Sequence, residues 1–143
     1  MKIYVASSWR NELQQMVVMV LQSMGHEVYD FKNPGEGKKG FAWSDIDPDW
    51  QNWTPEQYVK ALEHPRSIEG FNLDFDAMKW ADCCAMVLPC GRSANTEAGW
   101  MKGAGKQVFV FHPEKQEPEL MYKMYDGILT SVEALRIQFT IPK

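Results

Sequence analysis

Residues 2–31 switch their apolar period twice, and that switch leaves few folds open. KIYVA, residues 2–6, is a continuous run of β-branched, aromatic and small residues, the pattern of a central strand buried on both faces. From Leu13 onward, apolar residues recur at helical spacing: Leu13, Met16, Val17, Val20, Leu21 and Met24. Ser7 and Ser8 stand upstream as candidate caps, and Gly25 supplies the left-handed residue that commonly ends a helix. HEVYDF, residues 26–31, returns to a strand pattern. Strand, helix and strand in so short a span make a βαβ unit, which sets its two strands parallel with a right-handed crossover.

The rest of the chain continues the alternation. Residues 32–53, KNPGEGKKGFAWSDIDPDWQNW, form a connection far longer than the usual span of about four to six residues. Thr54-Pro55-Glu56-Gln57 has a cap, a proline at the first helical position and an amide at the third. A further helix is expected from Pro65 or Arg66 to Ala81, leading into a strand at 82–88, DCCAMVL. After the polar stretch PCGRSANTEAGW come a helix ending near Gly103 or Gly105, a strand at 107–111, a short strand around Gly127 to Leu129, and a closing helix capped by Thr130 or Ser131. The pattern implies an α/β fold: one domain over residues 1–143, with a long 32–53 loop. It is a three-layer αβα arrangement around a five-stranded parallel, flavodoxin- or Rossmann-like sheet in the order 2-1-3-4-5.

Charge and cysteine usage narrow the function. The net charge of −4 argues against a nucleic-acid polymer or a membrane surface as partner, since both are met by basic patches. A small ligand in a local pocket is left open. Cys83, Cys84 and Cys90 show no CxxC spacing and read as thiols in a reducing compartment, while His26, His64 and His112 are scattered, so no metal site is expected. The N-terminal apolar stretch is too short for a signal peptide and no run is long enough to span a bilayer, which places the protein in the cytoplasm.

In an open parallel sheet, ligands bind beyond the carboxyl ends of the strands where the strand order reverses, here between the first and third strands. The loops to inspect are ASSWRN and PCGRSANTEAGW. Neither a GxGxxG nor a GxxxxGK[ST] motif is present, which removes the common dinucleotide and P-loop readings. Glu97 is expected in the first turn of its helix, where it either stabilises the helix dipole or serves the predicted crevice. On a helical wheel Asp74 falls within the arc of Ile68, Phe71, Phe75, Met78 and Ala81, while Asp76 faces away. A carboxylate on an apolar face must find a partner or take a raised pKa, so Asp74 either caps or pairs structurally or joins Glu97 in the crevice. Together the two acids could attack a glycosidic carbon and protonate its leaving group. Tyr4 either orients the nucleophile or is an ordinary core tyrosine.

Three segments carry a resemblance. KIYVASSW resembles the first strand and loop of the nucleoside 2-deoxyribosyltransferase superfamily, which includes the 2'-deoxynucleoside 5'-monophosphate N-hydrolases, with Tyr4 and Trp9 at recurrent positions. DFDAMKWAD resembles the helix that begins with a catalytic aspartate, here Asp74, and TEAGWMKGAGKQVFV is similar to the ELGxAxxxGKxV signature whose glutamate, here Glu97, is the nucleophile. The likeness covers roughly residues 1 to 111. It implies catalysis by Glu97, Asp74 and Tyr4 through a covalent glycosyl ester, which a second base intercepts in transferases and water in hydrolases. It also implies no cofactor, and a homodimer or higher homo-oligomer in which Met121, Tyr122, Met124 and Tyr125 reach across to a neighbour or pack on their own chain.

The chain departs from the family in two places. Gly91-Arg92-Ser93-Ala94-Asn95-Thr96 replaces the frequent DSGT-type loop, and Arg92, Ser93 and the helix start, with Ser7, Ser8 and Arg10, make an anion seat that favours a nucleoside 5'-phosphate over a free nucleoside. The expected substrate-binding set is Ser7, Ser8, Trp9, Arg10, Gly91, Arg92, Ser93, Asn95 and Trp43. The tryptophans of the long loop, Trp43, Trp50 and Trp53, either stack on a base as a lid or form a satellite core. Two other readings stand beside glycosyl chemistry: a non-catalytic sensor of nucleotides or nucleotide-derived signals, and cleavage of another ribosyl substrate such as a dinucleotide.

Overall fold

The computed structural model describes residues 1–142. Five parallel strands, β1 (Lys2–Ala6), β2 (Glu27–Asp30), β3 (Cys83–Val87), β4 (Gln107–Phe111) and β5 (Gly127–Leu129), run in the order β2-β1-β3-β4-β5. This is the expected order. The helices are α1 (Leu13–Ser23), α2 (Pro55–Ala61), α3 (Pro65–Trp80), α4 (Arg92–Gly103) and α5 (Val132–Gln138).

Because side chains alternate across a strand, the continuous apolar runs divide into two cores. On one face Ile3, Val5, Cys83, Ala85, Val87, Phe109 and Phe111 pack with Val17, Val18 and Leu21 of α1 and Leu135 of α5. On the other, Tyr4, Ala6, Cys84, Met86, Val108 and Val110 meet Ala77 and Met78 of α3 and Ala94, Ala98 and Met101 of α4. The adjacent cysteines thus face opposite cores. The Lys106 ammonium closes the end of α3, donating to the carbonyls of Met78 at 2.8 Å and Lys79 at 2.7 Å and to that of Ala81.

Helix starts differ from the sequence reading in ways that matter for the site. Neither Ser7 nor Ser8 caps α1; the Leu13 amide donates to Asn11 Oδ1 at 2.8 Å instead. α4 opens at Arg92 behind Gly91, so Glu97 is its sixth residue and lies in the second turn, beyond the unpaired amides that favour a first-turn acid. α3 does start at Pro65, as expected, which sets Asp74 deep within it and not at its start as in the helix that DFDAMKWAD resembles. The apolar arc reaches the core only at its C-terminal end, through Met78 and Ala81 with Phe75 packed against them, and not at Ile68 and Phe71. α3 meets the rest of the protein through Ser67, Gly70, Ala77 and Met78, because small residues let it approach closely, and Ile68 and Phe71 are 48% and 62% exposed. Where the sequence offered Thr130 or Ser131 as the cap of α5, Ser131 does the work, accepting from the Ala134 amide at 3.0 Å. α2 begins with the expected reciprocal cap: Thr54 Oγ1 accepts from the Gln57 amide at 3.2 Å and Gln57 Oε1 from the Thr54 amide at 2.7 Å.

The long connection is packed. Trp43 lies edge-on to Phe41, Trp53 and Tyr58 at centroid distances of 4.8, 5.7 and 6.0 Å. The Trp53 indole donates to Asp47 Oδ2 at 2.8 Å. Arg66, near the start of α3, fastens the segment by donating to the Gly40 carbonyl at 2.8 Å and to Asp45 Oδ2 at 3.2 Å. Gly70 accommodates Phe41: a Cβ there would stand 2.9 Å from the Phe41 Cβ.

Candidate active site

The two loops at the reversal of strand order are clipped together by one side chain. Asn11 is buried, and its amide nitrogen donates to Ser7 Oγ at 2.9 Å, the Val87 carbonyl at 3.1 Å and the Pro89 carbonyl at 2.9 Å. Ser7 Oγ donates to the Val87 carbonyl at 2.9 Å, and Ser8 Oγ accepts from the Gly91 amide at 2.9 Å. Both serines therefore tie β1 to β3 rather than standing free.

On the α3/α4 face four side chains form two matched pairs. The Tyr4 hydroxyl donates to Glu97 Oε2, and the Tyr29 hydroxyl donates to Asp74 Oδ1 at 2.8 Å. Register explains the arrangement. Tyr4 of β1 is directly opposite Tyr29 of β2 in a parallel pair, so both project from the same face, and their rings stack at 5.3 Å with 16° between planes. α3 and α4 then lower one carboxylate onto each hydroxyl. Glu97 Oε1 and Asp74 Oδ2 take no hydrogen bond among the described residues.

Both acids line two chambers that share Trp43, Trp50, Asp74, Ser93 and Glu97 as walls. The larger, about 820 Å³, adds Tyr58, Phe71, Phe75, Trp100, Arg92 and Thr96. The smaller, about 510 Å³, adds Ser7, Trp9, Tyr29, Phe31, Lys39 and Phe41. These volumes and the aromatic lining with a few polar groups are those of small-molecule sites.

Burial governs the electrostatics. It pushes the Glu97 carboxyl up to about 7, against the pull of the Tyr4 hydrogen bond and with help from the charge of Asp74. Burial likewise raises Asp74, opposed by the Tyr29 hydrogen bond. Tyr4 is raised by burial and then by the charge of Glu97, and Tyr29 by burial and then by Asp74, so both phenols stay protonated as donors. The charge of Asp74 adds to the lift on Glu97, so the two carboxyls titrate as a coupled pair.

Of the residues singled out from sequence, Glu97, Asp74 and Tyr4 come together, and Ser7, Trp9, Trp43, Arg92 and Ser93 line the chambers. Ser8, Arg10, Gly91 and Asn95 line neither. Asn95 instead donates to the Gly91 carbonyl at 2.8 Å and accepts from the Tyr122 hydroxyl at 2.7 Å, because its place in the first turn of α4 turns it toward the loop and the C-terminal segment. Tyr122 and Tyr125 stack on each other within the chain at 5.8 Å, while Met121 and Met124 are exposed. The tryptophans pack on one another and also wall the cleft, so the lid and satellite-core readings merge. Sequence reasoning missed Tyr29, Asn11, Phe75 and Trp100. A signal for Tyr29 existed, since aligning KIYVA with EVYD in parallel register sets it beside Tyr4.

The fold recurs in solved structures. A 2-deoxyribosyltransferase from the psychrotolerant bacterium Bacillus psychrosaccharolyticus superimposes with a TM-score of 0.59 at 22% sequence identity, over 99% of this chain and 97% of that one. A CMP N-glycosidase from Clostridium botulinum superimposes with a TM-score of 0.53 at 15% identity, over 97% of this chain and 98% of that one. No family model matches the sequence, and no curated protein matches it. The likeness is one of fold over essentially the whole chain, the fold that the sequence resemblance implied.

Proposed function

We propose that this protein cleaves or exchanges the N-glycosidic bond of a nucleoside or nucleoside 5'-monophosphate, with Glu97 as nucleophile, Asp74 as acid and base, and Tyr4 holding Glu97. The observation that carries the reading is the doubled tyrosine–carboxylate arrangement at the strand-order reversal, two acids facing one aromatic-walled cleft. The folds of a deoxyribosyltransferase and a nucleotide N-glycosidase support it.

In the first half-reaction a Glu97 oxygen bonds to the anomeric carbon as the carbon–nitrogen bond breaks. The electron pair leaves with the base, which takes the Asp74 proton. In the second, water or another base gives a proton to the Asp74 carboxylate and bonds to the anomeric carbon. The ester bond then breaks and the Glu97 carboxylate returns, with Asp74 protonated again. The competent pair holds one proton, on Asp74. Burial and the aromatic walls supply the dry surroundings in which the Tyr4 hydrogen bond favours the ionised nucleophile. Arg92 and Ser93, in the larger chamber, are the groups offered to an anionic 5' substituent. We also infer a homo-oligomer, with exposed Met121 and Met124 available to a neighbour.

Incubating nucleosides and their 5'-monophosphates with the protein, with and without a second free base, tests the reading by chromatography. Free base, or exchanged nucleoside when a second base is present, should form with the wild type and vanish in Glu97→Ala. Product that persists in Glu97→Ala would overturn the role of Glu97. No product from any substrate, with binding retained, would move the reading to a nucleotide sensor.

A further inference from the structure

Tyr29 belongs to the four-residue cluster yet has no part in the chemistry above. Its single hydroxyl proton goes to Asp74 Oδ1, and its ring is held flat against Tyr4. A protonated carboxyl donates from one oxygen and accepts on the other. With Oδ1 occupied as acceptor, the acid proton belongs on Oδ2, the oxygen with no hydrogen-bond partner among the described residues, on a side chain that lines both chambers.

We propose that Tyr29 is a positioning residue that fixes Asp74 so that Oδ2 alone delivers the proton to the leaving base. The proposal rests on the glycosyl reading above. When Oδ2–H passes its proton to the base nitrogen, the Tyr29 hydrogen bond persists to the carboxylate, so Oδ2 stays aimed to take the proton of the incoming water or base. One hydroxyl thereby serves both half-reactions without moving. The titratable and charged groups around Asp74 are Tyr29 of β2, Tyr4 of β1 and Glu97 of α4, with Tyr58, Arg92 and Lys39 on the chamber walls. None of the others donates a hydrogen bond to Asp74. The Tyr29 bond also draws the Asp74 carboxyl down against the effect of burial, so its removal has a spectroscopic sign as well as a kinetic one.

Tyr29→Phe keeps the ring stack and removes only the donor. In single-turnover experiments that follow base release alone, the rate with an ordinary nucleotide should fall about tenfold, with steady-state KM within about threefold. Single-turnover base release from the counterpart with an N7-methylated purine, whose base leaves without taking up a proton, should change by less than about threefold. In an Asp74→Asn background Tyr29→Phe should cost nothing further. In carboxyl-labelled protein followed by carbon NMR, the Asp74 midpoint should move up in Tyr29→Phe. Equal losses on both substrates, additive losses in the double variant, or an unmoved Asp74 midpoint would each overturn the proposal. Wild type and Glu97→Ala run alongside separate the two levels. Base release that depends on Glu97 but ignores Tyr29 defeats this inference alone, whereas no base release from the wild type defeats the glycosyl reading and leaves the Asp74 midpoint to decide the contact.

Discussion

The hydroxyl of Tyr4 reaches Glu97 Oε2 from a ring with no exposed surface, so the sheet itself holds the proposed nucleophile from beneath. Removing that donor in Tyr4→Phe takes away an interaction that lowers the Glu97 carboxyl, whose titration should then move up from about 7. Turnover should fall about 100-fold, the usual cost of losing one buried donor to a developing or reacting charge. Steady-state kinetics with carbon NMR of the Glu97 carboxyl check both.

A site that works with one proton between two carboxyls has a bell-shaped pH profile whose limbs belong to the pair. Its alkaline limb should fall as pH rises through about 7, where the last proton is lost. Asp74→Asn removes a negative charge that raises Glu97, so the Glu97 midpoint in that variant should drop below about 7. A pH series of kcat/KM and an NMR titration are the measurements.

The same acid makes stability pH-dependent. Glu97 titrates at about 7 in the folded chain against an ordinary 4.5. Its folded value is raised, so its contribution is fully present below the unfolded value and is lost as pH climbs through the folded one. Between those two pH values the wild type should lose about 2–3 kcal/mol relative to Glu97→Gln, which cannot ionise. Urea unfolding of both proteins at the two ends of the window measures the difference.

Trp43 and Trp50 both wall the cleft, but they differ in support. Trp43 packs against three aromatic rings, whereas Trp50 is 37% exposed. Trp43→Ala should lose about 2–3 kcal/mol of stability together with ligand affinity. Trp50→Ala should weaken ligand binding about tenfold with stability within about 0.5 kcal/mol of wild type. Thermal unfolding and a binding titration on both variants distinguish a load carried by packing from one carried by contact with the ligand.

The parallel sheet was legible because continuous apolar strands alternate with helical periods, and its order is one of the common doubly wound orders that right-handed crossovers permit. Glu97, Asp74 and Tyr4 could be placed near the reversal of strand order, but their pairing could not, because it depends on where two helices begin. A shift of three residues in the start of α4 moved Glu97 from first turn to second, and with it went the dipole argument. The cross-strand ties made by Ser7 and Ser8 were hidden for a related reason. Short hydroxyls beside a loop are consumed by the nearest backbone groups, here the Val87 carbonyl and the Gly91 amide, and spacing along a sequence does not record which backbone lies nearby. Tyr29 is a register effect, visible only once two strands are laid side by side.

The division of the interior by the sheet carries a consequence for altering this protein. No residue named in the two chambers belongs to the core that α1 and α5 cover. Val17, Val18, Leu21, Leu135 and Phe139 can be repacked for heat tolerance with the sheet as a screen between them and the reacting groups. The two faces can therefore be evolved under separate selections, one for endurance and one for what the cleft accepts.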